Sequence, residues 1–224
     1  ANEYGKICGN YSLWSNLTIF WGCGTNLHRS PYNARNHEYY SEDAVLTSGQ
    51  AVAFISGGKE YGVIIAPKHL AFNDTEINRT GVSVFMTEQQ ARENELRGTQ
   101  AAIEDAGALG VMTAFNRVGI TATNAHTGLL KNILRGEWGF KGLESQDFIM
   151  NPNYAVLKEY ALNGGTMTTF TGENTMAAVS EKFAYWTTEN VGQDTELMSA
   201  IKQAMTWQAY ALANSNALDG MASS

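Results

Sequence analysis

Asp147 ends the run Leu143-Glu144-Ser145-Gln146, and Lys68-His69 follows a second run, Gly62 to Ala66. Ahead of them lies a stretch rich in donors and rings: Asn26 to Pro31, then Asn33 to Asp43 with Arg35, His37, Glu38, Tyr39 and Tyr40. Asn73 to Arg79 follows Lys68-His69, and Phe115-Asn116-Arg117 follows another apolar run. One acid among several cations and aromatics suits a neutral polyhydroxylated ligand. Arg, Lys and His donate to hydroxyls, a carboxylate accepts or attacks, and apolar faces cover the carbon side of a sugar ring. Phosphate is a poorer match, because no G-x-x-x-x-G-K-[ST] or helix-opening G-x-G-x-x-G is present. G-x-S-x-G and H-E-x-x-H are also missing. The four histidines, His28, His37, His69 and His126, include no i, i+4 pair, so neither a metal site nor a cofactor is expected. Taken singly these residues have plain structural readings: Lys68-His69 as a strand end, and Arg35 with Glu38 as a rim ion pair of little worth. They carry weight only if the fold brings them together.

Short apolar runs alternate with longer amphipathic stretches, the pattern of β/α units around a parallel sheet. Strands are expected at Leu17 to Trp21, Gly62 to Ala66, Gly110 to Phe115, Leu143 to Phe148 and Gly165 to Phe170. Helices are expected at Glu42 to Gly57, Thr87 to Gly107, His126 to Arg135, Asn153 to Leu162 and Asp194 to about Asn214. The helix at Thr87 opens on a Thr87-x-x-Gln90 capping pattern. Sites in such architectures gather at the carboxyl ends of the strands, where the polar residues above fall. The strand at Leu143 is unusual, since Glu144 and Gln146 stand where a buried parallel strand is normally aliphatic. Either it lines a polar cavity or its neighbours supply partners. Without a repeat or a linker, 1–224 reads as one domain.

Composition narrows the field. The 224 residues are 44% hydrophobic, with 15 Lys plus Arg against 22 Asp plus Glu, a formal charge of −7. That charge gives no long-range attraction to nucleic acid or to an anionic membrane surface, so neither is an expected partner. No apolar run approaches the roughly 20 residues of a spanning helix. Cys8 and Cys23 form no disulfide framework and read as buried thiols. The chain opens on Ala1 rather than Met with no basic and apolar leader, so a processed chain, or one cut from something longer, is expected. Its Asn-x-Ser/Thr triplets do not fix a compartment.

In order, the stretches NLHRSPYNARNHEYYSED (26–43), PKHLAFNDTEINRTGVS (67–83), GVMTAFNRVG (110–119), LLKNILRGEWGFKGLESQDF (129–148) and NGGTM (163–167) resemble the barrel domain of glycoside hydrolase family 3, the family of many β-glucosidases. The resemblance spans about two thirds of the chain and implies an α/β fold, a (β/α) barrel of TIM type in whole or in part. It implies that Asp147 is the nucleophile of a retaining β-glycosidase acting on terminal β-D-glucosyl residues through a covalent glycosyl-Asp intermediate. Arg35 falls on the arginine of the family's G-R-x-x-E-x-Y-S-E-D run, and Lys68 with His69 on its K-H-F pair. Those three are implied to hold sugar hydroxyls, and Met112, Phe115 and Phe148 complete the substrate-binding set. Such a reaction pairs its nucleophile with a second carboxyl group about 5 to 5.5 Å away. Ala34, His37 and Leu70 depart from the family's usual Gly, Phe and Phe. The hexosaminidase branch carries a P-G-H-G pattern after K-H-F. This chain reads Ala71-Phe72-Asn73-Asp74 there, which favours the glucosidase branch.

A barrel of this type has about eight strands, and five are legible. The chain is therefore expected to be the C-terminal part of the barrel, with the early strands and the acid/base on a second polypeptide segment. The partners expected are a β-glucoside or short oligosaccharide and that segment, or self-association through an open sheet edge. The alternative reading is a non-catalytic carbohydrate-binding or assembly module of the same descent.

Overall fold

The computed structural model describes residues 1–79, 81–148, 156–169 and 186–218. It opens on a helix that the apolar pattern does not announce, α1 (Asn2–Trp14). Glycines at 5 and 9 interrupt its periodicity, and they are also why it packs as it does. A Cβ on Gly5 would lie 2.0 Å from the Phe54 carbonyl oxygen, so only glycine lets α1 lie this close to α2 (Ala44–Lys59).

The main sheet is wholly parallel. Strands β1 (Ile19–Gly24), β2 (Ile64–Leu70), β4 (Gly110–Thr113) and β7 (Leu143–Gln146) lie side by side in chain order. A parallel bridge from Ser145 to Met167 continues the same progression. Each strand adds on the same side as the last, with no reversal of order, which is the wall of a (β/α) barrel of TIM type seen over part of its circumference. Among the described residues β1 pairs only with β2. A smaller sheet of two-residue strands, β3 (Ser83–Val84), β5 (Arg117–Val118) and β6 (Thr121–Ala122), is built from the loops that follow β2 and β4.

β1 and β2 begin two residues later than the apolar runs suggest, while β4 and β7 begin where expected and end two residues sooner. β1 reaches Gly24 rather than stopping at Trp21, and β2 runs on through Lys68, His69 and Leu70, so the polar pair lies within the strand. The expected helix at 87–107 is broken into a turn at Glu88–Gln90, a π-helical segment at Ala91–Glu95 and α3 (Arg97–Glu104). Its opening follows the expected chemistry, because the Thr87 hydroxyl accepts from the Gln90 N–H at 3.1 Å. The helix at 126–135 is π-helical over Gly128–Glu137. Of the helix expected at 153–162, Asn153 to Ala155 lie outside the described residues, and α4 covers Leu157–Leu162. A short α5 (Thr188–Gln193) precedes α6 (Thr195–Ala213), where Asp194 caps the first turn by accepting from Leu197 N–H at 3.0 Å. Phe170, at the end of the fifth expected strand, lies outside the described residues.

The core sits between sheet and helices. Phe54 and Ile55 of α2, Ile65 and Leu70 of β2, Val111 of β4 and Leu130, Leu134 and Trp138 pack together there. The polar strand β7 is buried throughout, and its neighbours supply partners. Gln146 Oε1 accepts from Asn124 at 2.7 Å, and the Thr166 hydroxyl accepts from the Glu144 N–H at 2.7 Å. The Glu144 carboxyl is fully buried, and neither of its oxygens makes a hydrogen bond of good geometry among the described residues. Burial pushes its pKa up to about 7, with the Tyr160 hydroxyl and the Arg135 guanidinium pulling the other way. Both cysteines are free and buried.

Candidate active site

One row of paired residues sets the height of the site. Gly24 is level with Lys68, Lys68 with Met112, Met112 with Ser145, and Ser145 with Met167. Strand alternation carries the next residue on that face of β7 to Asp147, just beyond the strand end. Gly24 also receives the returning chain, because its backbone bridges to Tyr39. A Cβ there would stand 2.5 Å from the Glu38 carbonyl oxygen and 2.6 Å from the Tyr39 ring. The absence of a side chain at 24 is what lets the 3-10 turn Asn36–Glu38 press against the sheet and deliver Arg35 and Glu38 to the strand ends.

The backbone of His69 is fixed by one side chain. Asn26 donates to the His69 carbonyl at 3.0 Å and accepts from its N–H at 2.8 Å, both buried. Glu38 joins the cations: Arg35 Nε donates to its Oε2 at 2.7 Å, and Lys68 Nζ lies 2.8 Å from its Oε1. The pair read from sequence as a weak rim contact is therefore a partly buried, three-membered bridge. Burial opposes ionisation of Glu38, yet Lys68 and then Arg35 outweigh it and hold the carboxyl below its ordinary pKa. Glu76 extends the network, 3.6 Å from Arg35 and 2.8 Å from Arg79.

These groups rim a cavity of about 520 Å³ lined by Trp21, Arg35, Lys68, His69, Arg79, Met112, Asp147, Phe148 and Thr169. Asp147 Oδ1 accepts from the Phe148 N–H at 2.8 Å, while Oδ2 lies 3.4 Å from His69 Nε2. Burial raises the Asp147 pKa, against the Phe148 N–H and the charges of Arg79, Arg35 and Lys68. His69 is pushed well below its ordinary value by burial and then by Arg35, Lys68 and Arg79, so its ring is neutral. Among the described residues the arrangement offers a carboxylate with one oxygen on backbone and the other beside His69, hydrogen-bond donors around it, and apolar faces from Trp21, Met112 and Phe148.

Of the residues singled out by sequence, Arg35, Lys68, His69, Met112, Asp147 and Phe148 come together at this cavity. Phe115 is not among its lining residues. Its ring lies under Arg79, whose guanidinium carbon is 4.5 Å from the ring centroid. Sequence reasoning passed over Trp21, Arg79 and Thr169. Trp21 ends an apolar run that reads as core, and Arg79 stands in the loop after β2 among several charges of equal claim. No group of three or more His, Cys, Asp or Glu that could hold a metal occurs among the described residues.

Comparison with known proteins places this geometry in context. Residues 2–183 match the model of the glycosyl hydrolase family 3 N terminal domain. A β-glucosidase of Rhizobium radiobacter is 41% identical over 144 residues, 64% of this chain and 18% of the relative. β-Glucosidase BoGH3A of Bacteroides ovatus is 34% identical over 148 residues, 66% of this chain and 20% of the relative. The chain thus spans about a fifth of the length of these curated relatives. Among solved structures, β-glucosidase 3B of Thermotoga neapolitana in complex with glucose superposes with a TM-score of 0.85 at 26% identity, over 97% of this chain and 30% of that one. A family 3 β-glucosidase of Bifidobacterium adolescentis, 20% identical, shares the fold with a TM-score of 0.84 over 99% of this chain and 31% of that one.

Proposed function

We propose, from the premise that this chain belongs to glycosyl hydrolase family 3, that it supplies the nucleophile half of a retaining β-glucosidase reaction. The observation that carries the proposal is that Asp147, just beyond the end of β7 with its Oδ2 3.4 Å from His69, lines a cavity together with Arg35, Lys68 and His69. In this reading Asp147 attacks the anomeric carbon and forms a covalent glycosyl ester, which water then releases. Arg35, Lys68 and His69 bond the sugar hydroxyls, contacts that tighten as the ring approaches an oxocarbenium-like transition state. The carbon face of the sugar rests on Trp21, Met112 and Phe148.

The acid/base role falls to a separate segment. Glu38 is held ionised by Lys68 and Arg35, the wrong state for a proton donor, and Glu76 is paired with Arg79. Two features support a neighbouring segment on the β1 side. Apart from the bridge of its last residue, Gly24, to Tyr39, β1 pairs with no strand but β2 among the described residues, and α1 exposes Tyr4, Ile7, Tyr11 and Trp14 along one face. A second copy of the chain is the other occupant of that face, and light scattering separates the two.

An aryl β-glucoside with a good leaving group tests the nucleophile by itself, because such a group departs without protonation. The 2-deoxy-2-fluoro form is expected to leave a glycosyl adduct on Asp147, found by peptide mass spectrometry and missing in Asp147→Asn. Sugar binding with no adduct would replace the proposal with a carbohydrate-binding module.

A further inference from the structure

Behind His69 lies a mostly buried polar chain whose members are not among the residues lining the cavity. Tyr39, 5% exposed, brings its hydroxyl 3.2 Å from His69 Nδ1, with the two rings edge to face at 88°. Asn73, 1% exposed, donates from Nδ2 to that hydroxyl at 2.8 Å and to Glu76 Oε1 at 3.1 Å. The carboxylate fixes which end of the amide faces Tyr39, since the reversed amide would set its oxygen against Glu76. The Tyr39 oxygen therefore accepts from Asn73, and its own proton needs an acceptor. Among the described residues, His69 Nδ1 is the one within reach.

We infer that Tyr39 is a positioning residue which, oriented by Asn73, fixes His69 as the tautomer with its proton on Nε2. His69 thereby becomes a hydrogen-bond donor on the side of Asp147 Oδ2, 3.4 Å away. Arg35 Nη2, which can only donate, stands 3.2 Å from the same nitrogen and competes for the opposite tautomer, so the two contacts pull the ring in opposite senses. The relay decides between two arrangements of one neutral ring. Burial raises the Tyr39 pKa above its ordinary value, so the hydroxyl keeps the proton it donates. In catalysis, and resting on the glucosidase reading above, the Nε2–H donates to a sugar hydroxyl beside the nucleophile, and an inverted ring would present a lone pair there instead.

The test is long-range ¹H–¹⁵N correlation on the full chain with ¹⁵N-labelled histidine, the His69 signals being assigned by their loss in His69→Gln. The wild type is expected to show a protonated Nε2 and an unprotonated Nδ1. Tyr39→Phe is expected to shift the ring partly or wholly to the Nδ1–H form, and Asn73→Ala to mix the two. A wild-type Nδ1–H tautomer overturns the inference even if no variant folds, and so does a Tyr39→Phe spectrum unchanged from wild type. If the chain turns over aryl glucoside, kcat/KM falls about five- to tenfold in Tyr39→Phe, the loss of about one hydrogen bond's selectivity. A protein that forms no glycosyl adduct on Asp147 but gives the expected spectra would refute the glucosidase reading and leave the tautomer assignment intact.

Discussion

Replacing Glu144 with Gln gives the sharpest quantitative test of how this sheet is built. In the folded chain the carboxyl is fully buried and its pKa stands at about 7 against an ordinary 4.5. The folded value lies above the unfolded one, so the stability linked to this group is complete below pH 4.5, falls between there and about 7, and is level beyond. A tenfold change in proton affinity corresponds to about 1.4 kcal/mol, so the displacement costs the wild type about 3 kcal/mol at about pH 8. Glutamine matches the protonated acid in shape and stays neutral. The Glu144→Gln protein should melt close to the wild type near pH 4 and higher by roughly 6 to 12 °C at about pH 8, given about 2 to 4 °C per kcal/mol for a chain of this size. The assay is heat and urea denaturation of both proteins across that range, and the difference cancels titrations they share. A constant offset between the melting curves at all pH values would refute the reasoning. It would mean that Arg135 and the Tyr160 hydroxyl solvate the carboxylate as well as water does.

Gly24→Ala should lower stability by about 1 to 3 kcal/mol by overpacking against the Glu38 carbonyl and the Tyr39 ring, and should weaken sugar binding as Arg35 moves with that turn. Denaturant midpoints together with ligand titration check it, and an unchanged affinity would mean that the turn is not anchored at 24. Glu38→Gln should raise KM for aryl glucoside by about tenfold, since Arg35 and Lys68 lose the carboxylate that orients both. The Glu38 pKa is lowered in the folded chain, so its contribution to stability is present above the unfolded pKa and lost as pH falls through the folded one. The variant should therefore lose that acid-side dependence, which denaturation in mildly acid buffers reads directly.

The order of strands and the rim of polar residues were legible because buried parallel strands announce themselves as apolar runs and sites follow their carboxyl ends. Lys68, His69 and Asp147, which the structure brings to one cavity, stand out in sequence in this way. Helix α1 escaped because Gly5 and Gly9, which let it pack on α2, also erase the periodicity by which a helix is read. The π-helical segments at 91–95 and 128–137 share the apolar spacing of ordinary helices, so periodicity cannot separate them. Glu38 reads in sequence only as a partner of Arg35 and Tyr39 only as one ring among several, because their further contacts depend on Lys68 and His69, some thirty residues away in sequence and adjacent only after Gly24 admits the turn. The same reasoning covers Phe115: its position after a strand said that it could reach the cavity, while the contact with Arg79 is a matter of tertiary packing.

The ion-pair network around the cavity has a kinetic consequence. Arg35, Lys68 and Arg79 interlock with Glu38 and Glu76, and the same three cations act on Asp147, so three positive groups face three acidic ones. With Asp147 ionised, the mouth of the site is close to electroneutral although the chain as a whole carries −7. Its field dies away within a few ångströms instead of reaching into solvent, so encounter with an uncharged ligand is neither steered nor slowed by dissolved ions. Discrimination here rests on short-range directional contacts, and the on-rate should be as indifferent to ionic strength as the ligand itself.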